Sequence, residues 1–149
     1  MGRLADDLAA HQTIGVDTAP FIYLWERHPE YEPLSAVLFD RLSTPGVQGV
    51  TSVVSLIEVC VQPRRLGRLD LVAAYRGALM DSEQLRTLHI DEEIALRAVD
   101  LRAAHNLRVP DALQIAASLS TGATAFVTND RRLARVHELS VIVLDDYIR

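Results

Sequence analysis

The feature that most limits the fold of this chain is the alternation of short apolar segments with helical patterns. Five apolar segments are typical of buried strands, and each is bounded by turn-forming or helix-forming residues. Strands that alternate with helices form a parallel sheet that helices cover on both faces. The sequence therefore predicts a three-layer α/β/α fold with strands at 13–16, 47–51, 86–89, 125–128 and 141–143.

Helix signals fill the intervals between these strands. Residues 1–11 are predicted to contain a short lead-in helix, and residues 52–80 a helical hairpin that turns between Pro63 and Gly67. Further helix boundaries are predicted at Ser52 and Asp91 as N-caps, at Pro110 in a first turn and at Gly122 as a terminator. The last five residues are predicted to form a tail. The 149 residues show no repeat and no linker, which predicts one domain over 1–149.

Composition excludes several classes of protein. Hydrophobic residues make up 49% of the chain, enough for a substantial core, yet no apolar run approaches the ~20 residues of a membrane span. The first ten residues include two acids and no long apolar stretch, so we expect no signal peptide and a cytoplasmic location. The single cysteine, Cys60, excludes an internal disulfide and suits a reducing compartment.

The charge of the chain argues against binding nucleic acid through bulk attraction, because the formal net charge is −5. All 15 basic residues are Arg and none is Lys. Arg makes bidentate contacts with phosphate, although uniform Arg usage also follows from a G+C-rich genome. RNA affinity would therefore have to come from a local basic patch.

Three aspartates lie where a strand meets a helix or where a helix begins. Asp17 follows the first strand, Asp111 follows Pro110, and Asp130 follows the fourth strand. Each has a structural alternative, because an acid in such a place caps the helix or favours its dipole. Thr18 could cap the first helix instead of Asp17, which would leave Asp17 free as a ligand. Asn129 could likewise substitute for Asp130.

Glu58 is the most informative single residue, because it lies within the apolar stretch V-V-S-L-I-E-V-C-V. A carboxylate buried in such a helix is costly unless it is paired or binds a metal. The alternatives are a narrow solvent-facing stripe, an ion pair with an Arg, and a charge that nothing compensates.

The predicted parallel sheet places these four acids near one edge. Asp17 and Asp130 end parallel strands, Asp111 opens the helix that leads to strand four, and Glu58 lies about two turns into the helix after strand two. Clustered carboxylates repel one another unless a cation neutralises them. An all-oxygen set suits Mg²⁺ or Mn²⁺, and one or two such ions can activate a water for attack on a phosphodiester.

The stretches around these acids resemble the PIN-domain ribonuclease family, and in particular the VapC-type toxins of toxin–antitoxin pairs. The matching stretches are V-D-T-A-P-F-I-Y, T-S-V-V-S-L-I-E-V, R-V-P-D-A-L-Q-I-A-A-S and F-V-T-N-D-R-R-L. The order of the acids and their spacings of 41, 53 and 19 residues resemble the family as well. The lead-in helix before Asp17 is longer than the usual start of the family.

The resemblance implies a PIN-like sheet in the order 3-2-1-4-5 and a Mg²⁺- or Mn²⁺-dependent endoribonuclease. It implies that the four acids bind metal and carry catalysis, with two polar residues beside the last acid in support: Asp17, Glu58, Asp111 and Asp130, supported by Thr128 and Asn129. It also implies an RNA substrate, a homodimer, and an antitoxin whose C-terminal segment blocks the acidic site.

Basic side chains near the predicted site are candidate RNA contacts. Arg64, Arg65 and Arg68 follow the Glu58 helix, and Arg131 and Arg132 follow Asp130. Each group has a plain alternative as solvated surface, and for the first group we favour that alternative. The five His residues show no metal-ligand spacing, and Tyr23 and Trp25 are expected in the core or in a dimer contact.

Two other classes of function are alternatives to the nuclease: a binding module without catalysis and a phosphorelay receiver. A catalytically inactive PIN-like module would bind RNA or a protein and cut nothing. A phosphorelay receiver would need a late Lys, and the chain has none.

Overall fold

The computed structural model describes residues 2–149; Met1, the first residue of the predicted domain and lead-in helix, lies outside them. Five strands are present in the described residues: β1 (Thr13–Val16), β2 (Gln48–Ser52), β3 (Leu85–Leu88), β4 (Ala125–Thr128) and β5 (Ser140–Val143). The same residues form seven α-helices: α1 (Gly2–Ala9), α2 (Thr18–Trp25), α3 (Glu32–Leu42), α4 (Val53–Arg65), α5 (Leu69–Met80), α6 (Glu92–His105) and α7 (Val109–Ser120). Two 3-10 helices cover Arg131–Arg135 and Leu144–Tyr147.

All neighbouring strands pair in parallel, in the order β3-β2-β1-β4-β5. This confirms the predicted fold class and strand order. The central strand β1 pairs with β2 through Ile14 and Gly49, and with β4 through Val16 and Val127. Because all strands run the same way, the residues that follow β1 and β4 emerge at one edge of the sheet, which is the edge that carries chemistry in such folds.

The two faces of the sheet bury separate apolar clusters, as expected when helices cover both faces. Ile14 and Val16 of β1 pack in a cluster with residues of α1 to α5. Phe126 of β4 points to the other face and packs among residues of α6 and α7. Because side chains alternate along β4, Val127 and Phe126 point to opposite faces and pack against different sets of helices.

Gly15 allows α7 to lie close against the centre of the sheet. A Cβ atom at this position would collide with the side chains of Ser118 and Phe126. Only glycine leaves room for such a close approach of a helix to a strand. This contact matters for the site, because it sets the depth of the helix that carries Asp111.

The predicted caps at Ser52 and Asp91 are confirmed, since their side chains accept hydrogen bonds from the backbone amides of Val54 and Ile94. The predicted terminator Gly122 is also confirmed by its backbone angle φ of +81°.

Several predicted boundaries were wrong. The lead-in helix ends at Ala9 rather than residue 11, and α4 continues through Pro63 to Arg65 instead of turning there. A proline within a helix removes one amide donor, but α4 is long enough to continue past it. The turn comes after α4, at Leu66 and Gly67, and the φ of Gly67 is +70°. The predicted tail is partly ordered as the second 3-10 helix. Among the described residues, no helix has the length and apolarity needed to cross a membrane.

Candidate metal centre

The four acids singled out in the sequence all line one crevice of about 470 Å³ at the carboxyl edge of the sheet. Asp17 follows β1, and Asp130 lies two residues beyond β4. Asp111 lies in the first turn of α7 and Glu58 in the second turn of α4. Arg108, Arg131 and Tyr23 also line the crevice.

Asp17 is the N-cap residue of α2, and both of its carboxylate oxygens accept hydrogen bonds. One oxygen accepts from the backbone amide of Thr18 at 2.8 Å, and the other accepts from Thr128 Oγ1 at 2.7 Å. The expectation that Thr18 would cap the helix in place of Asp17 was wrong, because Thr18 is already the first helical residue. The capping bond uses only one oxygen and leaves further lone pairs for a cation.

The pKa of Asp17 is raised from 3.8 to about 6. Burial is the largest cause, because a carboxylate away from water is poorly solvated. The hydrogen bonds from Thr128 and Thr18 oppose this rise, and repulsion from Asp111 and Glu58 adds to it. Asp17 is therefore a carboxylate whose ionised form gains more from a nearby cation than an ordinary surface acid would.

Glu58 is exposed, so its position matches the solvent-facing alternative and not a buried charge. The reason is that α4 is not buried all round, and its neighbours Ile57 and Val61 are exposed as well. Glu58 nevertheless has a fixed partner, since Thr18 Oγ1 donates to its Oε1 at 2.7 Å. The side chain is therefore held towards Asp17 and not left free in solvent.

A buried polar network lies behind the acids, and the sequence reasoning missed it. Gln114 of α7 donates to Ser55 Oγ at 2.7 Å and accepts from Ser52 Oγ at 2.6 Å. Ser55 Oγ in turn lies 3.1 Å from Thr18 Oγ1, the group that donates to Glu58. The signal was Gln114 itself, a polar residue one turn beyond Asp111 on an apolar helix face.

Arginine side chains already contact the other two acids. Arg108 Nε lies 3.1 Å from Asp111 Oδ2. Arg132 donates to both oxygens of Asp130, at 3.0 and 2.7 Å, and these hydrogen bonds are the main cause of a lowered pKa at Asp130. Asp130 also caps the first 3-10 helix. Arg108 and Arg132 are 64% and 63% exposed, so both can move away without disturbing the core.

Thr128 and Asn129 hold the acidic edge together, and neither is itself an acid. Thr128 Oγ1 donates to Asp17 and accepts from the backbone amide of Asp130 at 3.0 Å, so it orients two of the four acids. Asn129 donates to Tyr23 Oη at 3.0 Å and accepts from the backbone amide of Asp145 at 2.8 Å. Tyr23 thus has a role at the crevice as well as in packing, which the sequence reasoning did not anticipate.

The candidate RNA-binding arginines occupy different environments. Arg64 and Arg65 are exposed in the last turn of α4. Arg68 forms an exposed ion pair with Asp70 at 2.9 Å. Arg131 pairs with Asp145 and Asp146, at 3.3 and 2.7 Å, so its guanidinium is engaged although it borders the crevice. Their contact with RNA stays a prediction.

The donor set of the crevice suits a hard cation, because its charged ligands are carboxylates and its neighbours are hydroxyl and amide oxygens. Within residues 2–149, no three of these acids bring ligand atoms within 4.8 Å of one another. This spacing is compatible with Mg²⁺, which retains several waters and contacts only one or two carboxylates directly. The residues therefore fit a hydrated Mg²⁺ or Mn²⁺ better than a closed zinc site.

The profile of the PIN domain family matches residues 14–139. This match spans most of the chain and includes all four acids, so the chain belongs to the PIN domain family. The comparison with curated proteins found no match.

Solved structures with the same fold include two toxin–antitoxin complexes and one toxin. A toxin–antitoxin complex from Klebsiella pneumoniae has a chain with a TM-score of 0.67 and 22% identity, covering 89% of this chain and 97% of that one. A chain of VapBC2 from Rickettsia felis, bound to a DNA fragment from its promoter, has a TM-score of 0.63 and 14% identity. The match covers 88% of this chain and 98% of that one. The sarcin–ricin loop cleaving toxin VapC20 of Mycobacterium tuberculosis has a TM-score of 0.63 and 22% identity. The match covers 85% of this chain and 98% of that one. At these identities the likeness establishes the fold alone.

Proposed function

We propose that this protein is a metal-dependent endoribonuclease of the VapC type and the toxin of a toxin–antitoxin pair. The observation that carries the proposal is the convergence of Asp17, Glu58, Asp111 and Asp130 on one crevice. The structural likeness to a sarcin–ricin loop cleaving toxin supports RNA as the substrate. We further propose that residues 1–149 act as one domain in the cytoplasm.

In this proposal the acids hold Mg²⁺ or Mn²⁺, with Asp17 at the centre. The bound cation would supply Lewis-acid activation of a water for hydrolysis of the phosphodiester. Thr128 keeps Asp17 in one orientation, and Thr18 does the same for Glu58. Preorganised ligands of this kind raise affinity because little motion is lost when the cation binds.

Charge balance favours one divalent ion when Arg108 and Arg132 remain in place. The four ionised carboxylates together with the two guanidinium groups paired to Asp111 and Asp130 carry two net negative charges. One divalent cation neutralises these charges. A second ion would require both arginines to leave their carboxylates, which phosphate groups of an incoming RNA could induce, since Arg binds phosphate as well as carboxylate.

The proposed antitoxin would bind beside the crevice. A groove shares Ile22 and Glu58 with the crevice and continues past Leu66 and Tyr75 between α4 and α5. Apolar side chains of an antitoxin segment would fill this groove, and a basic side chain would reach the acids. The toxin–antitoxin complex with the same fold supports such a partner. Homodimer formation stays an expectation from the family resemblance.

The direct test of function is RNA cleavage by the purified protein with and without a divalent cation. We expect cleavage in Mg²⁺ or Mn²⁺ and none after EDTA treatment, with activity restored when Mg²⁺ is added back. Cleavage that persists at the same rate in EDTA would contradict a metal-dependent mechanism. Growth arrest on induced expression, relieved by co-expression of an antitoxin encoded beside it, would separate a toxin from a housekeeping nuclease.

The alternative is a PIN-like module that binds RNA or protein without cutting it. The observation that favours it is the engagement of Asp111 and Asp130 by arginines, which would compete with a cation. This alternative predicts no Mg²⁺-dependent cleavage and no growth arrest.

The Arg132→Gln substitution provides a test of the competition between arginine and cation. We expect Mg²⁺ affinity to rise by up to about fivefold, because an exposed ion pair holds its carboxylate only weakly. Titration calorimetry with Mg²⁺ measures the change. Arg131→Gln is the matched control, because it removes the same charge from the neighbouring residue. The side chain of Arg131 is paired with Asp145 and Asp146 and not with Asp130. Equal affinities in the two variants would refute direct competition at Asp130.

A further inference from the structure

A second group of metal-ligating side chains lies outside the acidic crevice. His105 is the last residue of α6, and His137 and Glu138 lie in the loop between the first 3-10 helix and β5. His105 Nε2 is 2.7 and 2.9 Å from the two carboxylate oxygens of Glu138, and His137 Nδ1 is 3.4 Å from one of them. Within residues 2–149 this is the only set of three or more such residues with ligand atoms within 4.8 Å of one another.

The cluster is built into the fold on one side and open to solvent on the other. The side chains of His105, Glu138 and His137 are 8%, 33% and 83% exposed. Arg135 of the 3-10 helix donates to the backbone carbonyl of Asn106 at 3.0 Å, so the two segments that carry the ligands already contact each other. The His105 and His137 rings lie 5.1 Å apart at 84°, and both face the same carboxylate.

We propose that His105, His137 and Glu138 bind Zn²⁺ or a chemically similar divalent transition metal. Two imidazole nitrogens and one carboxylate form a three-ligand set that zinc uses in proteins, with water in the fourth position. Tetrahedral zinc with bonds of about 2.0–2.1 Å places its ligand atoms about 3.3 Å apart. The His137–Glu138 distance of 3.4 Å already meets this value, and the His105–Glu138 pair, now at 2.7 and 2.9 Å, has to open by about half an ångström as the metal takes the place of the hydrogen bond.

This site differs from the acidic crevice in both chemistry and position. Imidazole ligands suit Zn²⁺, whereas the oxygen ligands of the crevice suit Mg²⁺. Glu138 lies two residues before β5, whose first residue Ser140 pairs with Ala125 at the start of β4. The acids Asp17 and Asp130 instead follow the ends of β1 and β4. The proposal therefore stands whether or not the crevice cleaves RNA.

The bound metal would tie the end of α6 to the loop before β5. The end of α6 precedes Asp111 in the chain, and the loop before β5 follows Asp130. A ligand that binds only the native state stabilises that state in proportion to the logarithm of its concentration over its dissociation constant. We therefore expect Zn²⁺ to raise the thermal unfolding midpoint, in addition to any effect of Mg²⁺ at the crevice.

The test is titration calorimetry of the full chain, free of any polyhistidine tag and stripped of metal, with Zn²⁺ as titrant in excess Mg²⁺. The Mg²⁺ occupies carboxylate sites and competes poorly for imidazole. We expect one Zn²⁺ per chain with a dissociation constant on the order of 1 µM or tighter. His137→Gln should weaken this binding at least about tenfold and reduce the Zn²⁺-dependent rise in unfolding midpoint.

His89→Gln is the matched control, because it removes another exposed His from the chain. It should bind Zn²⁺ as the unaltered protein does. His137 is so exposed that its substitution should leave folding intact, which unfolding without metal checks directly. Absence of Zn²⁺ binding in excess Mg²⁺ would overturn the proposal. Unchanged Zn²⁺ affinity in His137→Gln would overturn it equally, since the metal would then lie elsewhere.

Discussion

Asp17→Asn should stabilise the metal-free protein at pH 7 by up to about 3 kcal/mol and remove its stabilisation by Mg²⁺. The pKa of Asp17 is raised from 3.8 to about 6, and each unit of pKa corresponds to about 1.4 kcal/mol. The ionised side chain therefore opposes folding when no cation is present. Asn is as good an N-cap as Asp and can still accept the hydrogen bond from the Thr18 amide.

The pH dependence of this effect follows from its sign. Between pH 3.8 and about 6, the unfolded chain has released the Asp17 proton while the folded protein retains it. The contribution of Asp17 to stability is thus complete below pH 3.8 and is lost as pH rises through about 6. Other acids titrate too, so the quantity to measure is the difference in unfolding free energy between Asp17→Asn and the unaltered protein.

Denaturant unfolding at pH 4 and pH 7, with and without Mg²⁺, measures this difference. We expect the two proteins to be nearly equal in stability at pH 4 and the variant to be more stable at pH 7 without metal. Asp40→Asn, at an exposed position of α3, controls for the loss of one negative charge. A variant that is less stable than the unaltered protein at pH 7 without metal would show that Asp17 serves the fold and not a cation.

Gln114→Leu should destabilise the protein by about 3 kcal/mol and weaken cation binding at the crevice. Gln114 is 1% exposed and bridges Ser52 and Ser55 through both ends of its amide. Leucine fills a similar volume but removes one hydrogen-bond partner from each of these two buried hydroxyl groups, and a buried hydrogen bond left unmade costs about 1–3 kcal/mol. The loss would pass through Ser55 and Thr18 to Glu58, whose orientation depends on Thr18.

Denaturant unfolding and Mg²⁺ titration of Gln114→Leu test both parts of this prediction. Gln62→Leu makes the same chemical change at an exposed position of α4 and should alter unfolding free energy by less than about 0.5 kcal/mol. If Gln114→Leu lost stability and kept full Mg²⁺ affinity, the network would serve packing alone. If it kept full stability, the hydrogen bonds of Gln114 would not matter as described.

The sheet was predictable because local and global signals agree in this chain. The strands at 13–16 and 125–128 are apolar, end at polar residues and are followed by helix starts, so their bounds match the structure. Pro63 misled the helix boundary, because proline weakens a helix locally while the rest of α4 packs against its neighbours. Local propensity does not carry that tertiary contribution.

The candidate site was predictable as a list of acids but not as a set of contacts. Strand ends and helix starts placed Asp17, Asp111 and Asp130 at one edge of the sheet. The exposure of Glu58 and the bridge through Gln114 depend on which helix faces meet. Those contacts join residues up to 96 positions apart, which no local pattern encodes.

The most direct test of the central claim is a side-by-side cleavage assay of the unaltered protein and Asp17→Asn on the same RNA in Mg²⁺. We expect Mg²⁺-dependent cleavage by the unaltered protein, and a rate lower by at least about two orders of magnitude in the folded variant. Cleavage by Asp17→Asn at the unaltered rate would contradict the claim that Asp17 is the centre of a catalytic metal site.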